Sequence, residues 1–265
     1  GVGMVTEVGA NVTGYKRGDR VAVNSVAPCR VCGDCLDGRP YECRHALTYG
    51  ESEDGFLRDF AVVSADDLIG LPDRITDTEA VFLEHIAIAI NTVSELDLDK
   101  GEHIVIYGAT LIGLILAQVA MYYQAVPVLV DMHADRLRLA EKLGVYYTVS
   151  LVDSDPYKKI FTLTGGKMAE TVAFMSGCGI SPSIALNHAA QGGRVAFIGW
   201  RELYDDHDTS IGPVIAKRLK VMGINGTGRH VQSAINILIN KAVNVEKLVT
   251  KEVNIEDVGK TIAEV

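Results

Sequence analysis

Cys29, Cys32, Cys35 and Cys43 stand in the pattern C-x2-C-x2-C-x7-C. Four of the five cysteines in the 265-residue chain thus fall within fifteen positions. Zinc takes four thiolates tetrahedrally at about 2.3 Å, and cysteines two residues apart can turn their sulfurs to a common point. The spacing predicts one closed, structural zinc site in a lobe spanning 28–44. Such a site contributes folding energy and leaves no coordination position open. Chance clustering or a disulfide pair is the competing reading, and long non-secreted α/β chains rarely use disulfides.

Around that lobe the hydrophobic pattern changes period twice. Residues 1–70 read as strands and turns. Val2 to Val5, Arg20 to Val23, Phe56 to Val63 and Leu68 to Pro72 are strand candidates, with turns at Asn11 to Gly14 and Gly18-Asp19. From Asp77 the apolar residues Ala80, Val81, Leu83, Ile86, Ala87 and Ile90 recur at helical spacing. From Gly101 buried-type strands at Ile104 to Tyr107, Val128 to Val130, Thr171 to Phe174, Arg194 to Ile198 and Val221 to Ile224 alternate with helices at 111–124, 134–143 and 182–190. That alternation predicts an α/β, doubly wound parallel Rossmann sheet.

Gly108-Ala109-Thr110-Leu111-Ile112-Gly113 lies between the first of these strands and an apolar helix. It is a G-x-G-x-x-G turn with Thr110 in place of the middle glycine. Gly108 permits the tight turn, Gly113 permits close helix packing, and the helix start offers free N–H groups to a pyrophosphate. Thr110 brings a Cβ where backbone usually approaches phosphate. Asp131 ends the next strand. A carboxylate there can accept hydrogen bonds from the ribose hydroxyls of NAD and repel the 2′-phosphate of NADP. Its alternative role is to cap the helix that starts at Ala134.

The order of a β-rich start, cysteine lobe, helix and βαβ domain resembles the zinc-containing medium-chain alcohol and polyol dehydrogenases. The residues that carry the resemblance are Gly18-Asp19-Arg20-Val21, the four cysteines, Asp54-Gly55-Phe56 with Phe60 to Val63, and Gly192-Gly193-Arg194-Val195 leading to Gly199. The resemblance implies a GroES-like catalytic domain with the zinc lobe (1–91), a dinucleotide-binding domain (92–226) and a return to the catalytic domain (227–265). It places Ile198 and Gly199 beside the nicotinamide ring and Arg136 near the adenosine ribose, although Arg136 could equally be a solvated helix charge. It also implies a second, catalytic zinc, with Glu84 of Phe82-Leu83-Glu84-His85 as a ligand facing an interdomain cleft. A glutamate there is similar to the sorbitol and threonine dehydrogenase branches. His85 stands where those branches usually carry proline, and a glutamate on the solvent face is the alternative. The remaining ligands would precede Gly1, and both ends of the sequence read as cut.

The activity implied is hydride transfer from a secondary alcohol, a polyol or a sugar-derived alcohol, to NAD. A threonine-type amino-alcohol dehydrogenase and a non-catalytic nucleotide-binding protein of the same fold are the alternatives. A net charge of −9 argues against nucleic acid or an anionic membrane as partner. The sequence lacks an apolar run long enough for a span and lacks a signal peptide, so a cytoplasmic location is expected. The apolar strand Leu219 to Ile224, at a sheet edge, predicts a homodimer or homotetramer. His45, His103, His133, His188, His207 and His230 have no metal spacing, and Cys178 reads as a buried loop thiol.

Overall fold

The computed structural model describes residues 1–153, 155–199, 209–226 and 228–264. It divides into two compact units, Gly1–Glu84 with Val245–Val265, and His85–Asn244. Breaks were expected after residues 91 and 226, and side-chain amides explain the shift. Asn91 Nδ2 donates to Gly226 O (3.0 Å), and Asn244 N donates to Gln118 Oε1 (2.8 Å). These bonds hold 85–91 and 228–244 to the nucleotide-type sheet.

In the first unit β1 (Val2–Met4), β2 (Arg20–Val23) and β5 (Leu68–Gly70) form an antiparallel sheet in the order β1-β2-β5. Between them, β3 (Val26–Ala27) pairs with β4 (Leu47–Thr48) at the base of the cysteine lobe, which contains the one-turn helix α1 (Gly33–Leu36). Phe56 to Val63, expected as a strand, forms none. Among the described residues no neighbour offers it a ladder, and Leu57, Phe60 and Val62 lie exposed. Helix α2 (Asp77–Ala80) starts at a reciprocal capping box between Thr76 and Glu79, and α3 (Leu83–Glu95) follows it, its residues from His85 on belonging to the second unit. Later α10 (Val258–Ala263) belongs to this unit as well.

The second unit is a six-stranded parallel sheet: β6 (His103–Tyr107), β7 (Val126–Asp131), β8 (Tyr147–Ser150), β9 (Ala169–Met175), β10 (Ala189–Ile198) and β11 (Lys220–Ile224). Its order is β11-β10-β9-β6-β7-β8. The helices between the strands are α4 (Leu111–Tyr122), α5 (Ala134–Lys142), α6 (Pro156–Leu163), α7 (Ser183–His188) and α8 (Gly212–Lys217), with α9 (Val231–Ile239) last. Ile104, Val105, Ile106, Val128, Leu129, Val130, Val172 and Ala173 have zero exposure, as strands covered on both faces require. The direction of strand order reverses between β6 and β9, and that switch point is where open α/β sheets bind ligands. Sequence reading missed β8 and α6. The strand is short, lies at the sheet edge and contains no aliphatic residue but Val149, so it carried little periodic signal. No helix among the described residues is long and apolar enough to cross a membrane.

Candidate dinucleotide and zinc sites

The four lobe cysteines converge. Their sulfurs all lie within 4.8 Å of one another, with Cys29–Cys35 at 4.0 Å and Cys32–Cys43 at 3.8 Å. A tetrahedron with 2.3 Å metal–sulfur bonds has edges of about 3.8 Å, so the donor set fits one zinc ion. No disulfide joins them. Backbone amides prepare the cage: Cys29 N points at Cys43 Sγ (3.3 Å) and Cys32 N at Cys29 Sγ (3.4 Å). The Val31 N–H is the main cause that brings the Cys29 thiol down to about 6, while desolvation pushes Cys35 up to about 12. Arg30, inside the first C-x2-C, adopts a left-handed backbone at φ 62°. Its guanidinium pairs with Asp67, which is 3% exposed and also accepts from Tyr49 Oη (3.2 Å). This bond ties the lobe to the β2–β5 body.

The other candidate residues collect at the C-terminal edge of the parallel sheet. Gly108 follows β6 at φ 97°, and a Cβ there would sit 2.7 Å from Cys178 Cβ and 3.0 Å from Met175 Cβ. A Cβ on Gly113 would lie 2.0 Å from the carbonyl oxygen of Gly108. The glycine therefore lets α4 close on the turn itself, a tighter constraint than the expected helix–sheet packing. Thr110 is the N-cap of α4, its Oγ1 accepting from Gly113 N (3.3 Å). The extra Cβ at this position comes with a capping oxygen that satisfies one donor of the first turn. The N–H groups of Leu111 and Ile112 belong to that same turn and have no intrahelical partner.

Asp131 ends β7 with zero exposure. Its Oδ2 accepts from Ala109 N (2.6 Å) and its Oδ1 from His133 N (2.7 Å). The carboxylate thus locks the Gly108–Gly113 turn to the start of α5, where His133 is the N-cap residue. The helix-start role weighed from sequence is present in the bond from His133 N, and the bond from Ala109 N sets the same carboxylate beside the glycine turn. Arg136 is exposed on α5, while Cys178 is buried, and desolvation raises its thiol pKa. Ile198 closes β10 at 2% exposure; Gly199 follows, its N–H donating to Ile224 O (3.1 Å).

Glu84 is half-buried in the first unit, and Ser25 Oγ donates to its Oε1 (2.5 Å). Sequence reading missed Ser25, which has no motif of its own. Among the described residues the cysteine lobe is the only group of three or more metal-ligating side chains. Glu84 supplies one possible ligand, and its neighbour is a hydroxyl, so the residues described do not make up a second metal site. His207 lies outside the described residues.

Known proteins match in the same two blocks. The alcohol dehydrogenase GroES-like domain matches residues 1–73 and the zinc-binding dehydrogenase domain residues 112–242. A zinc-type alcohol dehydrogenase-like protein of Haemophilus influenzae is 32% identical over 99% of this chain and 77% of its own length. L-threonine 3-dehydrogenase of Bacillus velezensis is 31% identical over 97% of the chain and 75% of its own length. Sorbitol dehydrogenase of Halalkalibacterium halodurans is 26% identical over 97% and 76%. In fold, an alcohol dehydrogenase from E. coli CFT073 solved with NADH superposes with a TM-score of 0.89 at 24% identity, covering 99% of this chain and 77% of that one. With a sulfur cage sized for zinc in a GroES-like unit and a glycine turn at a Rossmann switch point, this chain belongs to the zinc-type alcohol dehydrogenase family.

Proposed function

We propose that this protein transfers a hydride from a secondary alcohol, a polyol or sugar-derived alcohol, to NAD. The observation that carries the reading is the convergence of Gly108–Gly113, Asp131 and the Ile198–Gly199 strand end on one edge of the parallel sheet. The start of α4 receives the pyrophosphate. Asp131 has no ion pair among the described residues, and a carboxylate at close range opposes a 2′-phosphate. Ile198 and Gly199 form the floor under the nicotinamide end, and Arg136 contributes positive charge at the adenosine end. Bound NAD supplies the hydride-accepting chemistry, and the chain supplies orientation.

The cysteine cage holds a structural zinc through Cys29, Cys32, Cys35 and Cys43. Glu84, oriented by Ser25, is the residue of this chain assigned to the reacting centre of the intact protein. The 31% identity to a threonine dehydrogenase, above the 26% to a sorbitol dehydrogenase, favours an amino-alcohol substrate as the second reading. Val221, exposed on the edge strand β11, and the exposed Ile211 and Ile215 at the preceding helix α8 support a homodimer or homotetramer, and a monomer by light scattering at micromolar concentration would oppose that part. NAD reduction by the intact protein, followed by absorbance with neutral polyols and with threonine-like amino alcohols, tests the activity. Turnover of polyols is expected. Turnover of amino alcohols alone shifts the reading to the second class, and reduction by neither class rejects it.

A further inference from the structure

Ser176 lies one residue past β9 and has no place in the motifs above. Its backbone N–H donates to Ile198 O (2.8 Å), extending the β9–β10 ladder by one bond. Its Oγ is buried and, among the described residues, has no hydrogen-bond partner. The oxygen sits where a Cβ on Gly199 would be, 1.4 Å from that position. Gly199 is therefore a glycine because the Ser176 hydroxyl occupies the space beside it. A hydroxyl kept buried and unsatisfied is a net cost to the folded state, and unpaired buried groups in native proteins call for an explanation.

Strand order tells where this hydroxyl stands. Asp131 ends β7, Gly108 follows β6, Ser176 follows β9 and Gly199 follows β10, and these strands adjoin in the order β7-β6-β9-β10. A dinucleotide with its pyrophosphate at α4 and one ribose at Asp131 lays its other half across the ends of β9 and β10. Ser176 as a residue is only half-buried. Rotation about its χ1 carries Oγ off Gly199 with no backbone movement, between staggered wells.

Resting on the dinucleotide reading above, we propose that Ser176 is a positioning residue whose hydroxyl turns from Gly199 to hydrogen-bond the ribose on the nicotinamide side of the cofactor. The unpartnered oxygen is then a donor and acceptor in reserve, satisfied only in the loaded protein. The Ser176→Ala variant tests this by calorimetric titration of the intact protein with NAD, ADP-ribose and AMP, and by thermal unfolding of the free form. NAD and ADP-ribose both carry the second ribose and should bind about three- to tenfold more weakly, the loss expected for one net hydrogen bond. AMP lacks it and should bind as in the wild type. The free variant should unfold at the wild-type temperature or above, because an unsatisfied hydroxyl has been removed. Unchanged NAD affinity in a wild type that binds NAD would overturn the Ser176 role alone. Equal losses for AMP and NAD, or a free variant that melts well below wild type, would overturn it too, as a general structural effect. Failure of the wild type to bind any of the three rejects the dinucleotide reading itself and this role with it.

Discussion

Asp131→Asn separates the structural task of this carboxylate from the cofactor selectivity proposed for it. In the wild type, each oxygen accepts one backbone N–H, from Ala109 at 2.6 Å and from His133 at 2.7 Å, at zero exposure. Hydrogen bonds to a charged acceptor contribute about 1.5–3 kcal/mol each. Asparagine keeps one carbonyl oxygen and turns an NH2 donor toward the other N–H, so one bond is lost and the survivor loses its charge. The expected destabilisation is about 2–4 kcal/mol. For a chain of this size that corresponds to a melting shift of roughly 5–15 °C. Hydrogen exchange should show the Ala109 and His133 amides opening faster than the strand amides of β6. NAD affinity should fall as the turn loosens, yet discrimination against NADP should shrink, because the charge proposed to oppose the 2′-phosphate is gone. A variant that melts within about 1 °C of wild type and keeps both amides protected would refute the locking role. Equal wild-type affinity for NAD and NADP would refute the selectivity role, whatever the stability.

Three further outcomes follow from other parts of the molecule. Chelation of zinc should unfold the lobe around Cys29–Cys43, since binding free energy there is folding free energy; metal analysis that finds no zinc, or mass spectrometry that finds a disulfide, would reject the cage. Arg194→Met should cost about 2–4 kcal/mol in urea denaturation, because Glu102, 7% exposed, loses the guanidinium it shares with Thr171; adding Glu102→Gln should recover much of that loss, and a strictly additive double variant would contradict the pairing. His188 is 7% exposed, stacks edge-on with Tyr157 and bonds Tyr107 Oη through Nδ1; burial, then Lys217, depress its pKa to about 4. Its neutral form is the folded one, so stability is full above pH 6.5 and declines as pH falls from 6.5 toward 4, by at most about 3 kcal/mol. His188→Gln should flatten that slope, and an unchanged slope would assign it to other groups.

The sequence made legible whatever depends on spacing or period. The cysteine cage is legible because zinc geometry demands thiolates at set separations, and the six-strand sheet because five of its strands are apolar runs. The glycine turn is legible because only glycine tolerates φ 97° with Met175 and Cys178 at its back. What escaped was set by partners distant in sequence. Ser25 meets Glu84 across 59 positions, and no local pattern reports such a pair. Phe56 to Val63 is rich enough in Phe and Val to read as a strand, but a strand also needs a neighbour. Asp131 was legible as a carboxylate at a strand end and illegible as the acceptor of Ala109 N–H, because that bond depends on how the turn folds back.

The three glycines at the sheet edge differ in what excludes their side chains, and the difference predicts which substitutions can be rescued. At Gly113 the obstacle to a Cβ is the backbone carbonyl of Gly108 at 2.0 Å, which no side-chain change removes. At Gly108 it is Cys178 Cβ and Met175 Cβ together, at φ 97°, where alanine is strained in any surroundings. At Gly199 it is one side chain: Ser176 Oγ at 1.4 Å and Ser176 Cβ at 2.6 Å, with Ser176 Cα a comfortable 3.7 Å away. Gly199→Ala alone should destabilise by about 1–3 kcal/mol, as overpacking does. Ser176→Ala in the same chain should help only partly, since the serine Cβ position still lies too close. Ser176→Gly should restore stability to within about 1 kcal/mol, the residue being the backbone entropy of the new glycine. The same Ser176→Gly change should do nothing for Gly113→Ala. Urea denaturation of the single and paired variants gives the coupling directly. Additive losses for Gly199→Ala and Ser176→Gly would mean that the hydroxyl does not fill the space beside Gly199.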